Sequence, residues 1–197
     1  MYNIALFGGS FDPIGLHHEN IAKAIKENFD MPTLIMPCYG HLFEKGEFLE
    51  SSEHRWIMVC LAADEKRDFM IPFFHEIEQK HKGSMYETLN RIKKINKEYT
   101  YHIVIGTDNA NVIEERWHIG NSLIDENPFI VVERKGVSAT TDWFLKSPHK
   151  TVSINSESSS SAIRESIKNG NYKFAEQNLS PSVFQYIKDN SLYGFKA

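Results

Sequence analysis

The sequence has 197 residues, of which 41% are hydrophobic and 24% charged, and this predicts one globular domain over residues 1–197 rather than a disordered chain. The formal net charge of −4 argues against a broad basic surface for duplex nucleic acid. Cys38 and Cys60 lack the spacing of a disulfide framework or a zinc site, and neither a signal peptide nor an apolar run of about 20 residues is visible, so we expect a cytoplasmic protein without a membrane partner.

Short apolar runs alternate with amphipathic stretches along the chain. The runs are typical of buried strands, and the stretches carry apolar residues three and four positions apart, as helices do. Strands are expected at 4–7, 33–36, 69–73, 101–105, 129–132 and 151–154, and helices at 17–28, 52–63, 86–95, 109–117, 162–168 and 181–188. This alternation predicts an α/β fold, a Rossmann-like, doubly wound and mainly parallel sheet with helices on both faces. Such sheets bind ligands at the carboxyl ends of their strands.

A glycine-rich turn, Gly8-Gly9-Ser10-Phe11, follows the first predicted strand, and His17 and His18 stand at the start of the first helix. Glycines let a backbone approach a ligand closely, and the free N–H groups of a helix start favour phosphate. The turn lacks the third glycine of a dinucleotide fingerprint and the GK[ST] of a P-loop. A tight turn with surface histidines is an equally good interpretation of this motif alone.

A serine-rich stretch at 158–161, which includes Ser160 and Ser161, precedes Arg164 at the start of a later predicted helix. Hydroxyl groups, backbone N–H groups and an arginine one turn into a helix together make an anion site. A flexible serine linker or a simple helix cap explains the same residues, and for this stretch alone it is the favoured interpretation.

Together, the two stretches resemble the nicotinate/nicotinamide mononucleotide adenylyltransferases, members of the nucleotidyltransferase superfamily with an [HT]xGH signature. The family begins with G-G-x-F-[DN]-P-x-[HT]-x-x-H, matched here by residues 8–18, and later carries I-S-S-[ST]-x-I-R, matched by residues 158–164. Weaker matches are a substrate loop, an HRxxM helix, a GxD turn, a VVxR strand and a C-terminal VxxYI…LY, at residues 36–45, 53–58, 105–109, 131–134 and 183–193. The resemblance covers nearly the whole chain.

The resemblance implies attack of a mononucleotide 5′-phosphate on the α-phosphorus of ATP, with release of pyrophosphate. The substrates would be ATP and nicotinate or nicotinamide mononucleotide, and Mg²⁺ would bridge the triphosphate and offset its charge. Such a transfer needs no protein nucleophile, because positioning and electrostatic stabilisation can supply the catalysis. The family contains dimers and larger assemblies, which leaves a homo-oligomer open.

The resemblance also assigns roles to residues of this chain. His18 would bind the ATP phosphates, and Lys45 and Arg164 would neutralise phosphate charge. The turn at residues 8–11 would line the nucleotide cleft, and the part from about residue 156 would complete the ATP phosphate site. The other nucleotide-binding residues would be Gly106, Asp108 as an acceptor from ribose hydroxyls, Trp117 stacked on the pyridine ring, Arg134, Ser160 and Ser161.

The chain departs from the family pattern at three positions. Gly15 stands where the family has the first His or Thr of [HT]xxH, His17 stands where its bacterial members usually have glycine, and Ser158 replaces an isoleucine. Either His17 substitutes for the missing contact, or the reaction is slower, or the enzyme is degenerate. The alternatives are a phosphopantetheine adenylyltransferase or cytidylyltransferase, a nucleotide-binding sensor without catalysis, and a protein-interaction domain on an inherited fold.

Overall fold

The computed structural model describes residues 1–40, 50–134, 143, 147, 149–155 and 158–196, and only the backbone of Arg134. Within these ranges, six strands form one sheet, and every pairing of neighbours is parallel. The strands are β1 (Tyr2–Gly9), β2 (Thr33–Pro37), β3 (Met70–Pro72), β4 (Tyr99–Gly106), β5 (Phe129–Arg134) and β6 (His149–Ile154). Their order, β3-β2-β1-β4-β5-β6, is that of a doubly wound Rossmann sheet, which confirms the predicted fold class.

Helices connect the strands. They are α1 (Leu16–Phe29), α2 (Ser52–Ala63), α3 (His75–Glu78), α4 (Met85–Ile95), α5 (Thr107–Ala110), α6 (Ile113–Arg116), α7 (Gly120–Glu126), α8 (Ser160–Lys168), α9 (Tyr172–Asn178) and α10 (Pro181–Asp189). Short 3-10 turns follow α2 and α10 at Asp64–Lys66 and Leu192–Gly194. Among the described residues, no helix has the length and apolar character that crossing a membrane requires.

Each face of the sheet has its own hydrophobic core, because successive residues of a strand point to opposite faces. Leu6 of β1 packs on one face with Leu89 of α4, whereas the adjacent Ala5 packs on the other face with Ile25 of α1. A further cluster brings Phe11, just after β1, together with Ile163 of α8. The fold therefore places α8 beside the turn that ends β1.

The prediction of one helix at 109–117 is wrong. The structure has two short helices there, α5 and α6, separated by a break at Asn111 and Val112. The indole Nε1 of Trp143 donates to the carbonyl oxygen of Ala110 at 2.8 Å. In a continuous α-helix, that carbonyl would accept from the N–H four residues later. A contact with a distant residue thus accompanies the break. The sequence patterns also did not predict α3, α7 or α9, which have 4, 7 and 7 residues.

Gly120, the first residue of α7, lies against the backbone of α6. A Cβ atom at this position would be 2.1 Å from the carbonyl oxygen of Ile113, and backbone cannot move aside as the end of a side chain can. We expect Gly120→Ala to lower the free energy of unfolding by about 3 kcal/mol, measured by urea denaturation. Asn121→Ala, at the exposed next position, is the control and should change it by less than about 0.5 kcal/mol. Equal unfolding midpoints for the two variants would contradict this account.

Candidate active site

The end of β1 and the turn after it combine two glycines with a buried aromatic ring. A Cβ atom on Gly8 of β1 would lie 2.6 Å from the Cε of Met85, the end of a flexible side chain of α4. Phe11 has a positive φ of 48°, a conformation that costs a non-glycine residue about 1–2 kcal/mol. Its ring is 1% exposed and packs edge-on against Phe7 and His18. The Phe11 side chain therefore belongs to the core, and only its backbone can face a ligand.

Arg55 of α2 is fully buried and joins the turn after β1 to the end of β2. Its guanidinium donates to the carbonyl oxygens of Ser10 at 2.7 Å, Cys38 at 2.7 Å and Tyr39 at 3.3 Å, and its Nε donates to the carbonyl oxygen of Glu50 at 3.0 Å. A buried cation is stable when its donors are satisfied in this way. The sequence analysis placed Arg55 in the HRxxM match and gave it no role. In the structure, Arg55 holds the backbone of the turn after β1 and of the segment after β2.

The start of α1 holds two adjacent histidines next to Gly15, with their ring planes tilted by 41°. The N–H of Gly15 donates to Nδ1 of His18 at 3.1 Å, so the neutral His18 ring carries its proton on Nε2. His17 is 3% exposed, and its ring centroid is 3.8 Å from that of His18. A Cβ atom on Gly15 would lie 2.9 Å from Nδ1 of His17. The His17 ring therefore fills the space that a side chain at position 15 would enter.

The serine-rich stretch forms the start of α8 and contacts the turn after β1 directly. Ser159 is the N-cap of α8, and Ser160 donates its hydroxyl to the carbonyl oxygen of Pro13 at 2.9 Å. Arg164 donates to the carbonyl oxygen of Asp12 at 2.8 Å, across 152 positions of sequence. The two motifs found in the sequence thus form one site at the start of α1.

Asp12 is the buried centre of a network that reaches the C-terminal part of the chain. Its carboxylate accepts from the Tyr193 hydroxyl at 2.9 Å and from the Glu50 N–H at 3.2 Å, and it lies 3.9 Å from the Arg164 guanidinium. Burial raises the pKa of Asp12, and these hydrogen bonds and charges oppose that rise. Burial and the nearby Asp12 carboxylate raise the pKa of Tyr193, which keeps its hydroxyl a donor. The buried Asp12 therefore holds the Arg164 guanidinium in place.

A cavity of about 810 Å³ opens beside this turn, at the carboxyl ends of β1 and β2 and next to α5, the helix that follows β4. The strand order reverses between β1 and β4, and this switch point is where doubly wound sheets bind ligands. The volume lies in the range of roughly 300–1,000 Å³ that is usual for small-molecule sites. The predicted residues that line it are Gly8, Gly9, Ser10 and Trp117.

The other predicted residues lie around this cavity or outside the described residues. Gly106 is the N-cap of α5, and Asp108 is exposed in the first turn of that helix, with Oδ1 only 2.5 Å from the position of a Cβ atom on Gly106. Ser161 is exposed and accepts from the Arg164 guanidinium at 3.4 Å. Lys45 and the side chain of Arg134 lie outside the described residues.

Comparisons with known proteins agree with this geometry. A family model described as cytidylyltransferase-like matches residues 6–166, more than half of the chain. The chain belongs to this cytidylyltransferase-like family. A probable nicotinate-nucleotide adenylyltransferase of Oceanobacillus iheyensis is 29% identical over 99% of this chain and 98% of its own length. A protein of the same name from Clostridium botulinum is 28% identical over 98% of this chain and 100% of its own length.

Solved structures place this cytidylyltransferase-like chain among adenylyltransferases. The Plasmodium falciparum nicotinic acid mononucleotide adenylyltransferase complexed with NaAD has a TM-score of 0.83 and 25% identity, covering 100% of this chain and 99% of that one. The same Plasmodium enzyme complexed with APC has a TM-score of 0.82 at 23% identity, with the same coverage, and at that identity supports the fold alone.

Several residues that line the cavity of this cytidylyltransferase-like protein were not predicted. Arg116 and His118 flank Trp117, and their adjacency to a predicted ring-stacking residue is a signal that the sequence contained. Glu76 of α3 also lines the cavity and was not predicted. Met36, Cys38 and Gly40 belong to the predicted substrate loop, and Asn109 belongs to the predicted GxD turn, although none of them was given a role of its own. The remaining unpredicted lining residues are Gly83, Ser84, Met85 and Glu87. The described residues contain no group of three or more His, Cys, Asp or Glu side chains that could hold a metal ion.

Proposed function

We propose that this protein transfers the adenylyl group of ATP to nicotinate mononucleotide and releases pyrophosphate. The observation that carries the proposal is the direct contact between the two motifs, Arg164 to Asp12 and Ser160 to Pro13, beside a cavity at the switch point of the sheet. The names of the relatives and the NaAD bound to the similar Plasmodium enzyme support nicotinate over nicotinamide as the pyridine.

In this proposal, the phosphates of ATP lie at the start of α1. The positive end of the helix dipole attracts anions there. His18 would donate from Nε2, His17 would supply the second imidazole, and the Arg164 guanidinium would neutralise charge. Mg²⁺ would enter as part of the ATP complex, held mainly by phosphate oxygens and water, and would lower the charge of the triphosphate.

The mononucleotide would occupy the cavity beside the turn. Trp117 lines the cavity, so its indole can stack on the pyridine ring, and Asp108 at the end of β4 would accept from a ribose hydroxyl. Lys45 and Arg134 belong to the proposed site through the resemblance alone. We also infer that residues 1–197 act as one domain, because the core that surrounds Phe11 includes side chains of α8, α9 and α10.

The reaction is an in-line displacement. An oxygen of the mononucleotide 5′-phosphate forms a bond to the α-phosphorus of ATP, the bond from that phosphorus to the bridging oxygen breaks, and pyrophosphate leaves with the bonding electron pair. The protein contributes no covalent step. Its residues hold the two phosphates at reacting distance and stabilise the charge that develops on the transferred group.

The test is pyrophosphate release in the presence of ATP and Mg²⁺ with nicotinate or nicotinamide mononucleotide. We expect turnover with both that is faster with nicotinate mononucleotide, and a dinucleotide product identified by its mass. Reactions without a mononucleotide are the control. ATP binding without pyrophosphate release would favour the nucleotide-binding sensor, and turnover only with phosphopantetheine or with CTP would favour another branch of the superfamily.

A further inference from the structure

A buried carboxyl group lies in the wall of the cavity, and the proposed mechanism does not use it. Glu76 of α3 is 6% exposed and lines the cavity together with Gly8 of β1. Its Oε1 accepts from the hydroxyl of Thr88, a fully buried residue of α4, at 3.0 Å. The backbone N–H of Tyr39 lies near the carboxylate and lowers the pKa of Glu76. Glu76 therefore connects α3, α4 and the segment that follows β2.

The same segment is held from a second direction by Arg55. The guanidinium donates to the carbonyl oxygens of Cys38 and Tyr39, whereas the Glu76 carboxylate lies near the N–H of Tyr39. One short stretch of backbone at the edge of the cavity is thus held by a buried cation on its carbonyl groups and has a buried carboxylate next to its amide. A change in the charge of Glu76 therefore alters its interaction with the Tyr39 amide. It also alters the electrostatic potential in the cavity.

We propose that Glu76 is a positioning residue that couples mononucleotide binding to the uptake of a proton. The inference rests on the proposed function, because it requires an anionic mononucleotide in this cavity. An ionised Glu76 places a negative charge beside the negative phosphate of the ligand. A protonated Glu76 removes this repulsion and can still hydrogen bond with its neighbours. The protonated form therefore binds the mononucleotide more tightly.

The surroundings of Glu76 make this coupling effective near neutral pH. Burial raises the pKa of Glu76 to about 7, against the hydrogen bonds from Thr88 and Tyr39 and the charge of Arg55. The Cys38 thiol lies near it in the segment after β2, and burial also raises the pKa of that thiol. The other charged or titratable residues that line the same cavity are Glu87, Arg116 and His118, and those beside Glu76 on α3 are His75 and Glu78.

The direction of the pH dependence follows from linkage. A phosphate charge at roughly 10 Å makes protonation of a carboxyl about tenfold more favourable at an effective dielectric constant of about 20. The pKa of Glu76 is therefore higher with ligand bound than without it. Affinity is highest below the pKa of the free protein, and it falls as the pH rises through that value towards the pKa of the complex.

The test is the Kd of nicotinate mononucleotide between pH 6 and 9, measured by calorimetry for the unmodified protein and for Glu76→Gln. The glutamine keeps an acceptor for Thr88 and carries no charge. The Kd of Glu76→Gln therefore changes with pH through the ligand phosphate, which titrates near pH 6, and not through residue 76. We expect the ratio of the two Kd values, unmodified over variant, to rise about eightfold from pH 6 to pH 9. In two buffers of different ionisation enthalpy, only the unmodified protein should take up the additional proton, about 0.4 per site at pH 7.

Thr88→Val is a second, independent test in a variant that keeps the Glu76 carboxyl group. It removes a hydrogen-bond donor to the ionised carboxylate and so raises the pKa of Glu76. The rise in Kd should therefore move to higher pH. A ratio that stays constant over this pH range, or a rise that Thr88→Val does not move, would overturn the inference alone. If neither the unmodified protein nor Glu76→Gln binds the mononucleotide at any pH, the proposed function fails, and the inference fails with it.

Discussion

Replacing Arg164 with alanine is expected to lower kcat/KM for pyrophosphate release by about 10²–10³-fold, the usual cost of losing one oriented donor to a transition state. The Arg164 side chain is 20% exposed, so it can reach a ligand, while its bond to the Asp12 carbonyl oxygen fixes its direction. The loss should fall mainly on kcat, because the charge on the transferred phosphate is greatest in the transition state.

Lys168→Ala is the matched control for this prediction. Lys168 is an exposed cation in the last turn of the same helix, α8, so its removal changes the net charge by the same amount at a position away from the turn after β1. We expect kcat/KM for Lys168→Ala within about twofold of the unmodified protein. Similar losses in both variants would mean that Arg164 acts only through general electrostatic attraction. Unchanged turnover in Arg164→Ala would remove it from the catalytic site.

The sheet was predictable from the sequence because its strands are buried on both faces. Runs such as residues 4–7 and 129–132 are continuously apolar, and this is the pattern of parallel strands covered by helices. The order of the strands was not predictable, since it depends on which strand pairs with β1 after each crossover. The short helices were missed because fewer than eight residues do not display a helical period, and the break between α5 and α6 coincides with the contact from Trp143.

The sequence predicted those site residues that lie close together in the chain and form a recognisable motif. The glycine turn, His17, His18 and Arg164 lie in two short motifs, and the structure brings these motifs into contact. Arg55 could not be assigned a role because its partners are backbone carbonyl groups from separate segments, and the type of a residue does not show where its carbonyl points. The link from Asp12 to Tyr193 spans 181 positions and has no local signature.

Exchanging the residues at positions 15 and 17 tests whether His17 supplies the imidazole that Gly15 cannot. His17→Gly should lower kcat by about 10²–10³-fold, because it removes a ring that contacts His18 at the proposed phosphate site. Gly15→His alone should also lower kcat, since its Cβ atom would lie 2.9 Å from Nδ1 of His17 and displace that ring. The backbone at Gly15 is extended, with φ −123° and ψ 170°, so a histidine can adopt it without strain.

The double variant Gly15→His/His17→Gly separates two explanations for a loss of activity, disturbed packing beside His18 and a missing second imidazole. It removes the ring that a Cβ atom at position 15 would meet and returns one imidazole to the same space, where the Ile163 Cδ1, 3.0 Å from that Cβ, has to adjust. We therefore expect its kcat to exceed that of His17→Gly by at least about tenfold, with urea midpoints confirming that all three variants fold. A double variant no faster than His17→Gly would show that the space beside His18 is not where the second imidazole acts. Full activity in His17→Gly would show that this site works with a single histidine, because the transfer depends on positioning and charge more than on the number of imidazole donors.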